Sequence, residues 1–165
     1  MDENQRSLYL DMDDVVADWV SEATQFLRVQ FEKGTPIPQM DWDRLAMHKR
    51  FFKDLPLLPG AKELAAWATE YTKRNNMHFA FLTAIPHDDT IPYAIYDKVN
   101  WANKHFPGIP VLFGPYSFDK QMHCKPGDIL IDDRSDNCND WRMAGGIAHE
   151  YRTWEKCQQW IKHNL

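Results

Sequence analysis

Apolar runs of strand length alternate with helix-length amphipathic segments along almost the whole chain. The strand candidates are Ser7–Leu10, Met77–Leu82, Pro110–Phe113 and Asp128–Ile131, with Ile147–Tyr151 a possible fifth. Strands without a polar face suit a parallel sheet covered on both sides, and the intervening helices supply the cover. The clearest helix is Ala61–Asn75, where Leu64, Trp67, Ala68 and Tyr71 recur at helical spacing. Further helices are predicted over Ala17–Phe31, within Asp41–Leu55 on a Trp42, Leu45, Phe52 face, and over Tyr93–Phe106, Asn137–Ala144 and Thr153–Asn164. Lys33–Pro38 and Pro56–Gly60 are breaker clusters, Pro86–Thr90 is a polar loop and Tyr116–Gly127 reads as irregular. The expected fold class is therefore α/β, a Rossmann-like parallel sheet with helices on both faces.

In such sheets ligands bind beyond the carboxyl ends of the strands. The polar residues fall there. The first strand runs into Asp11, Asp13 and Asp14; Thr83 ends the second, Asp132-Asp133 the fourth, and Lys120 lies between the third and fourth. Unrelated solvated residues would scatter to both ends. Carboxylates at the mouth of a buried strand are costly unless a positive charge offsets them. Side chains two apart on an extended chain face the same way, so Asp11 and Asp13 can converge. A cation carrying a bound phosphate accounts for this arrangement. Taken alone, Asp11-Met12-Asp13 reads better as solvated loop acids or a helix cap.

Bulk properties narrow the functional classes. With 165 residues, one domain with at most a small insertion is expected. A net charge of −5 supplies no broad basic face, which argues against long nucleic acid. Cys124, Cys138 and Cys157 form no CxxC pair and suit reduced thiols in a cytoplasmic protein. The opening MDENQRS lacks the apolar core of a signal peptide, and no run approaches a membrane span. The seven histidines form neither HxH nor HExxH and read as surface or packing residues. Trp67, Tyr71, Trp154 and Trp160 read as helix-packing residues, and Arg28, Lys49, Arg50 and Lys53 as a solvated face.

The motifs, in this order, resemble the haloacid dehalogenase (HAD) superfamily of phosphotransferases. Asp11-Met12-Asp13 matches its first motif, Thr83 the second, Lys120 or Lys125 the third and Asp132-Asp133 the fourth. The stretches DMDDVVADW, FFKDLPLLPGAKEL, FLTAIP, DKQ and DILIDDRSDN are similar to the 5′(3′)-deoxyribonucleotidase family. That resemblance implies a core of residues 1–19 and 59–165, with a small helical cap over residues 20–58 inserted after the first strand.

It also implies a chemistry. Mg²⁺ would sit between Asp11, Asp132 and the backbone carbonyl of Asp13, with Asp133 orienting a water from outside that shell and Asp136 a substitute. Asp11 would attack phosphorus to form an aspartyl-phosphate, and Asp13 would act as acid and then base. Thr83, the Ala84 N–H and Lys120 would hold the phosphate; Lys120 is preferred to Lys125 because Asp119-Lys120 fits the family pattern. Trp19, Trp42, Phe51 and Phe52 would line the substrate pocket, with one of the two phenylalanines in contact. The family usually has Gly at Asp14 and Ser at Ala84, so this chain adds a carboxylate and loses a hydroxyl. The implied function is a magnesium-dependent phosphatase of (deoxy)nucleoside monophosphates, a small-molecule partner, with a homodimer possible. The alternatives are a HAD phosphatase for another small phosphate or a nucleic-acid end, and a nucleotide-binding HAD-fold protein without turnover.

Overall fold

Strand β1 (Ser7–Leu10) lies at the centre of a five-stranded sheet. In this computed structural model, which describes residues 5–87 and 90–165, β2 (His78–Thr83) and β3 (Val111–Phe113) extend the sheet on one side. β4 (Ile129–Asp132) and β5 (Ile147–Glu150) extend it on the other. The order is β3-β2-β1-β4-β5, and every pairing is parallel. Chain order reverses direction at β1, which opens a crevice beyond its carboxyl end.

Among the described residues, six α-helices cover the sheet: α1 (Trp19–Leu27), α2 (Gln39–Leu45), α3 (Ala61–Arg74), α4 (Ala94–His105), α5 (Ser135–Met143) and α6 (Trp154–Asn164). Alternate strand residues serve opposite faces. Leu8, Leu10, Phe81, Ile129 and Ile131 join the larger core with Leu64, Ala68, Trp101 and Cys157. Tyr9, Ala80, Leu82, Leu130 and Ala148 join a smaller core around Cys138 and Trp141 of α5. Tyr9 meets the Trp141 ring edge-on at 5.5 Å.

The predicted strands are present to within a residue or two at each end. The first helix is shorter than its periodicity suggests, because Arg28 turns into the left-handed region and caps it at Leu27. The stretch expected to be irregular contains a 3-10 helix over Ser117–His123, whose start Asp119 stabilises by accepting from the Tyr116 N–H. The residues expected to form a cap, 20–58, hold most of α1 and all of α2. Of the polar opening stretch, residues 1–4 lie outside the described residues, as do 88 and 89 of the Pro86–Thr90 loop. Among the described residues no helix is long and apolar enough to cross a membrane.

Gly60 carries one of the tightest approaches in the core. It enters α3 with φ +82°, and a Cβ there would stand 2.4 Å from the Trp154 Cβ. The left-handed conformation and the approach of Trp154 both demand glycine. Gly60→Ala is expected to cost about 2–4 kcal/mol, from left-handed strain plus overpacking, read as a lower urea midpoint at unchanged slope.

Candidate active site

Register sets the core of the site. Leu10 pairs with Phe81 on one side and Ile131 on the other, and the Asp11 N–H continues the ladder by donating to the Ile131 carbonyl at 2.9 Å. Asp11 therefore emerges beside Asp132, with Thr83 at the end of the neighbouring strand. Asp11, Asp132 and Asp133 are all buried, and one carboxylate oxygen from each lies within 4.8 Å of the others.

Lys120 binds this group together. Its Nζ stands 2.9 Å from Asp11 Oδ1 and 2.7 Å from Asp132 Oδ2, and its side chain is 2% exposed. Burial works against the ammonium, but Asp11 and Asp132 outweigh it and raise the Lys120 pKa above the ordinary lysine value. The 3-10 helix aims Lys120 here, whereas Lys125 uses its backbone N–H to bond Asp128. Asp11 Oδ1 also accepts from the Met12 N–H at 2.7 Å. Among the described residues, no hydrogen bond engages Asp11 Oδ2. Asp132 is further held by the Arg134 N–H and the Asn137 side-chain amide.

One ammonium does not balance three buried carboxylates. Burial first, then Asp132, Asp11 and Asp14, push Asp133 well above the usual carboxylate range. Asp132 is also raised, chiefly by burial. This surplus of hard oxygen donors at close quarters fits Mg²⁺.

Asp13 and Thr83 are joined by a residue the sequence reading passed over. Lys98, on α4, donates to Asp13 Oδ2 at 2.5 Å and to Thr83 Oγ1 at 3.0 Å. Asp13 Oδ1 is buried without a partner. Thr83 is fully buried and lies behind the cavity wall, because Lys98 holds its hydroxyl against α4; direct lining by Thr83, as expected for a phosphate contact, is not seen. A lone lysine in a helical segment gives no sequence signal that it turns inward.

The cluster opens into a cavity of about 460 Å³. Asp11, Asp13 and Lys120 lie at its floor with Ala84 beside them, and Trp19, Trp42 and Phe52 form an aromatic wall. Phe51 does not line it. Its ring turns away, edge-on to Phe52 at 5.5 Å and beside Trp19 and His48, so it pins the wall from behind. His87, expected as a surface or packing residue, and Arg50, expected on a solvated face, both have structural roles. His87 lines the cavity and stacks on Tyr116 at 4.1 Å. Arg50 pairs with the buried Asp97 of α4 at 2.5 Å, under the rings of Tyr93 and Tyr96.

Asp14 occupies a left-handed turn at φ 57°, a conformation that asparagine and aspartate tolerate best after glycine. Its Oδ1 accepts from the Val20 N–H at 3.0 Å, in the first turn of α1. Burial pushes its pKa up to about 7, against the lowering by that hydrogen bond. An acid raised in the folded state keeps its proton while the unfolded chain loses it, so stability falls as pH climbs from about 4 to 7. Asp14→Asn keeps the turn and the acceptor. Without divalent cations it is expected to be more stable than the parent at pH 8 by about 2–4 kcal/mol, with the difference vanishing near pH 4 in thermal melts.

Compared with known proteins, residues 5–160 match a family model described as "5' nucleotidase, deoxy (Pyrimidine), cytosolic type C protein". The chain has no match among curated proteins. Among solved structures, a hydrolase from Streptococcus pneumoniae TIGR4 aligns at TM-score 0.51 and 10% identity, over 96% of this chain and 98% of that one. A HAD family enzyme from Bacteroides thetaiotaomicron, in complex with magnesium and inorganic phosphate, aligns at TM-score 0.42 and 12% identity, over 93% and 99%. The first likeness is one of fold.

Proposed function

We propose, for a chain that belongs to the 5′-nucleotidase, deoxy (pyrimidine), cytosolic type C family of HAD-like hydrolases, a magnesium-dependent hydrolysis of (deoxy)nucleoside monophosphates to nucleoside and phosphate. The observation that carries this reading is Asp11. It sits on the floor of the cavity, one oxygen fixed by Lys120 and Met12, facing a space walled by Trp19, Trp42 and Phe52.

Phosphate monoesters resist attack because their charge repels nucleophiles, so positioning and neutralisation are the main demands. The unengaged Asp11 oxygen attacks phosphorus, the bond to the sugar oxygen breaks, and an aspartyl-phosphate forms. Lys120 neutralises charge on Asp11 and on the phosphate. Lys98 holds Asp13 Oδ2, which fixes the orientation of the carboxyl group that gives its proton to the departing sugar oxygen. Asp13 then takes a proton from water attacking the aspartyl-phosphate, which frees Asp11 and releases inorganic phosphate. Asp11, Asp132 and the Asp13 carbonyl would hold Mg²⁺, which supplies positive charge to the phosphate oxygens when bound, with Asp133 beside them. Thr83 would act through its bond to Lys98, and the Ala84 N–H would meet the phosphate directly. The aromatic wall offers flat apolar surfaces on which a base stacks. The cytoplasm is the setting proposed, where three free cysteines stay reduced.

Deoxyribonucleoside monophosphates, ribonucleoside monophosphates and p-nitrophenyl phosphate, each assayed with Mg²⁺, separate the readings. Turnover of nucleotides is expected; hydrolysis of the generic ester alone would overturn the nucleotide assignment. Asp11→Asn is expected to abolish turnover, a loss beyond about 10⁴-fold, while retaining the parent's circular dichroism and melting behaviour. A near-normal rate would exclude the covalent route.

A further inference from the structure

We propose that Lys98 is a positioning residue for this reaction, aligning Asp13 with the departing alcohol oxygen and tying it to Thr83. The inference rests on the phosphatase reading above and assigns a role to a side chain outside its motifs. Lys98 is 1% exposed and does not line the cavity, so it works through its neighbours and not by touching substrate.

Three contacts fix it. Its Nζ reaches Asp13 Oδ2 on the loop after β1 and Thr83 Oγ1 at the end of β2, and lies 4.5 Å from the centre of the Phe52 ring. Burying an ammonium is expensive, and it is tolerated where the charge is paired and hydrogen-bonded. Asp13 is the pairing partner. Its side chain lines the cavity and is 28% exposed, whereas that of Lys98 is 2% exposed, so the lysine stands behind the acid. With Oδ2 fixed, the rotation of the carboxyl group is fixed too.

The helix carrying Lys98 is itself anchored. The preceding residue, Asp97, is 1% exposed and receives Arg50 through both carboxylate oxygens. One turn on, the Trp101 indole N–H donates to the Leu55 carbonyl at 2.7 Å. Both partners lie in residues 20–58. α4 thus carries neighbouring attachments to the segment roofing the cavity and to the acid beneath it.

A residue that aligns a general acid matters in proportion to how much the leaving group needs a proton. An alcohol leaves poorly as an anion, whereas p-nitrophenolate leaves readily at neutral pH. The parent, Lys98→Met and Lys98→Gln are assayed with Mg²⁺ on glycerol 2-phosphate, a deoxyribonucleoside 5′-monophosphate and p-nitrophenyl phosphate. For Lys98→Met, kcat/KM, which reports the steps up to departure of the alcohol, is expected to fall about 10²–10⁴-fold on the alkyl esters and by less than about tenfold on p-nitrophenyl phosphate. Lys98→Gln retains hydrogen bonding and is expected to fall between the parent and Lys98→Met on the alkyl esters. Combining Lys98→Met with Asp13→Asn is expected to add little to Asp13→Asn alone, because the lysine acts through Asp13.

Equal losses of kcat/KM on all esters, additive effects in the double variant, or an unimpaired Lys98→Met would overturn the proposal. If Lys98→Met fails to fold, the leaving-group selectivity of Lys98→Gln decides. A parent that cleaves glycerol 2-phosphate but no nucleotide removes the substrate assignment and leaves the lysine's role tested. A parent that cleaves no ester overturns both.

Discussion

An ammonium buried between two carboxylates closes the carboxyl end of the sheet. β1 and β4 are neighbours, and their register sets Asp11 beside Asp132. Two like charges so placed, with Asp133 close by, repel one another in a medium that screens poorly. Lys120 relieves this by reaching both, from a 3-10 helix that follows the edge strand β3. The strand order brings the acids together, and one side chain from outside the sheet makes that order tolerable. Its single charge leaves the group net negative, a donor set that suits a divalent cation.

The positive charges divide the work by burial and reach. Lys120 stands on the cavity floor, so it can neutralise both protein and ligand. Lys98 stands behind the floor, so its charge is spent on Asp13 and Thr83. Arg50 lies farther out, pairing with Asp97 on the helix that carries Lys98. At the far side of the cavity, Gly34 of the segment between α1 and α2 packs so close to the chain after β4 that a Cβ would stand 2.8 Å from the Asp133 carbonyl. Arg152 donates to that same carbonyl at 2.7 Å. Residues 20–58 are therefore joined to the sheet at two margins, near α4 and near Asp133, with the aromatic wall between them.

What the sequence revealed follows from which signals are local. Strands buried on both faces appear as apolar runs, so the sheet and the strand-end positions of Asp11, Thr83 and Asp132 could be read directly. Asp119-Lys120 pointed to the lysine through a motif. Lys98 and Arg50 had no such signal: each is a cation in a helical or turn segment, and only tertiary packing turns one inward and pairs the other with a buried acid. Phe51 and Phe52 are adjacent aromatics, and adjacency alone does not say which ring faces the cavity; the fold gives Phe52 the wall and Phe51 its backing. Thr83 stands where expected, yet its depth depends on α4, which the strand pattern does not encode. His87 joins the cavity through its stack on Tyr116, a contact 29 residues distant in the chain.

Asp14 shows how a departure from a family pattern is absorbed. Glycine at this turn would supply the left-handed backbone and bring no charge. Aspartate adopts the same conformation at φ 57° and brings a carboxylate to the cavity. Two features blunt its effect on an anionic ligand. The oxygen Oδ1 is turned to the first turn of α1, where the Val20 N–H and the positive end of the helix receive it. Burial also raises its pKa to about 7, so near neutrality a large share of the molecules carry no charge there. Immediately upstream, Asp13 keeps its pairing with Lys98 intact. The substitution thus alters the helix entry and leaves the Lys120–Asp11 and Lys98–Asp13 pairs in place.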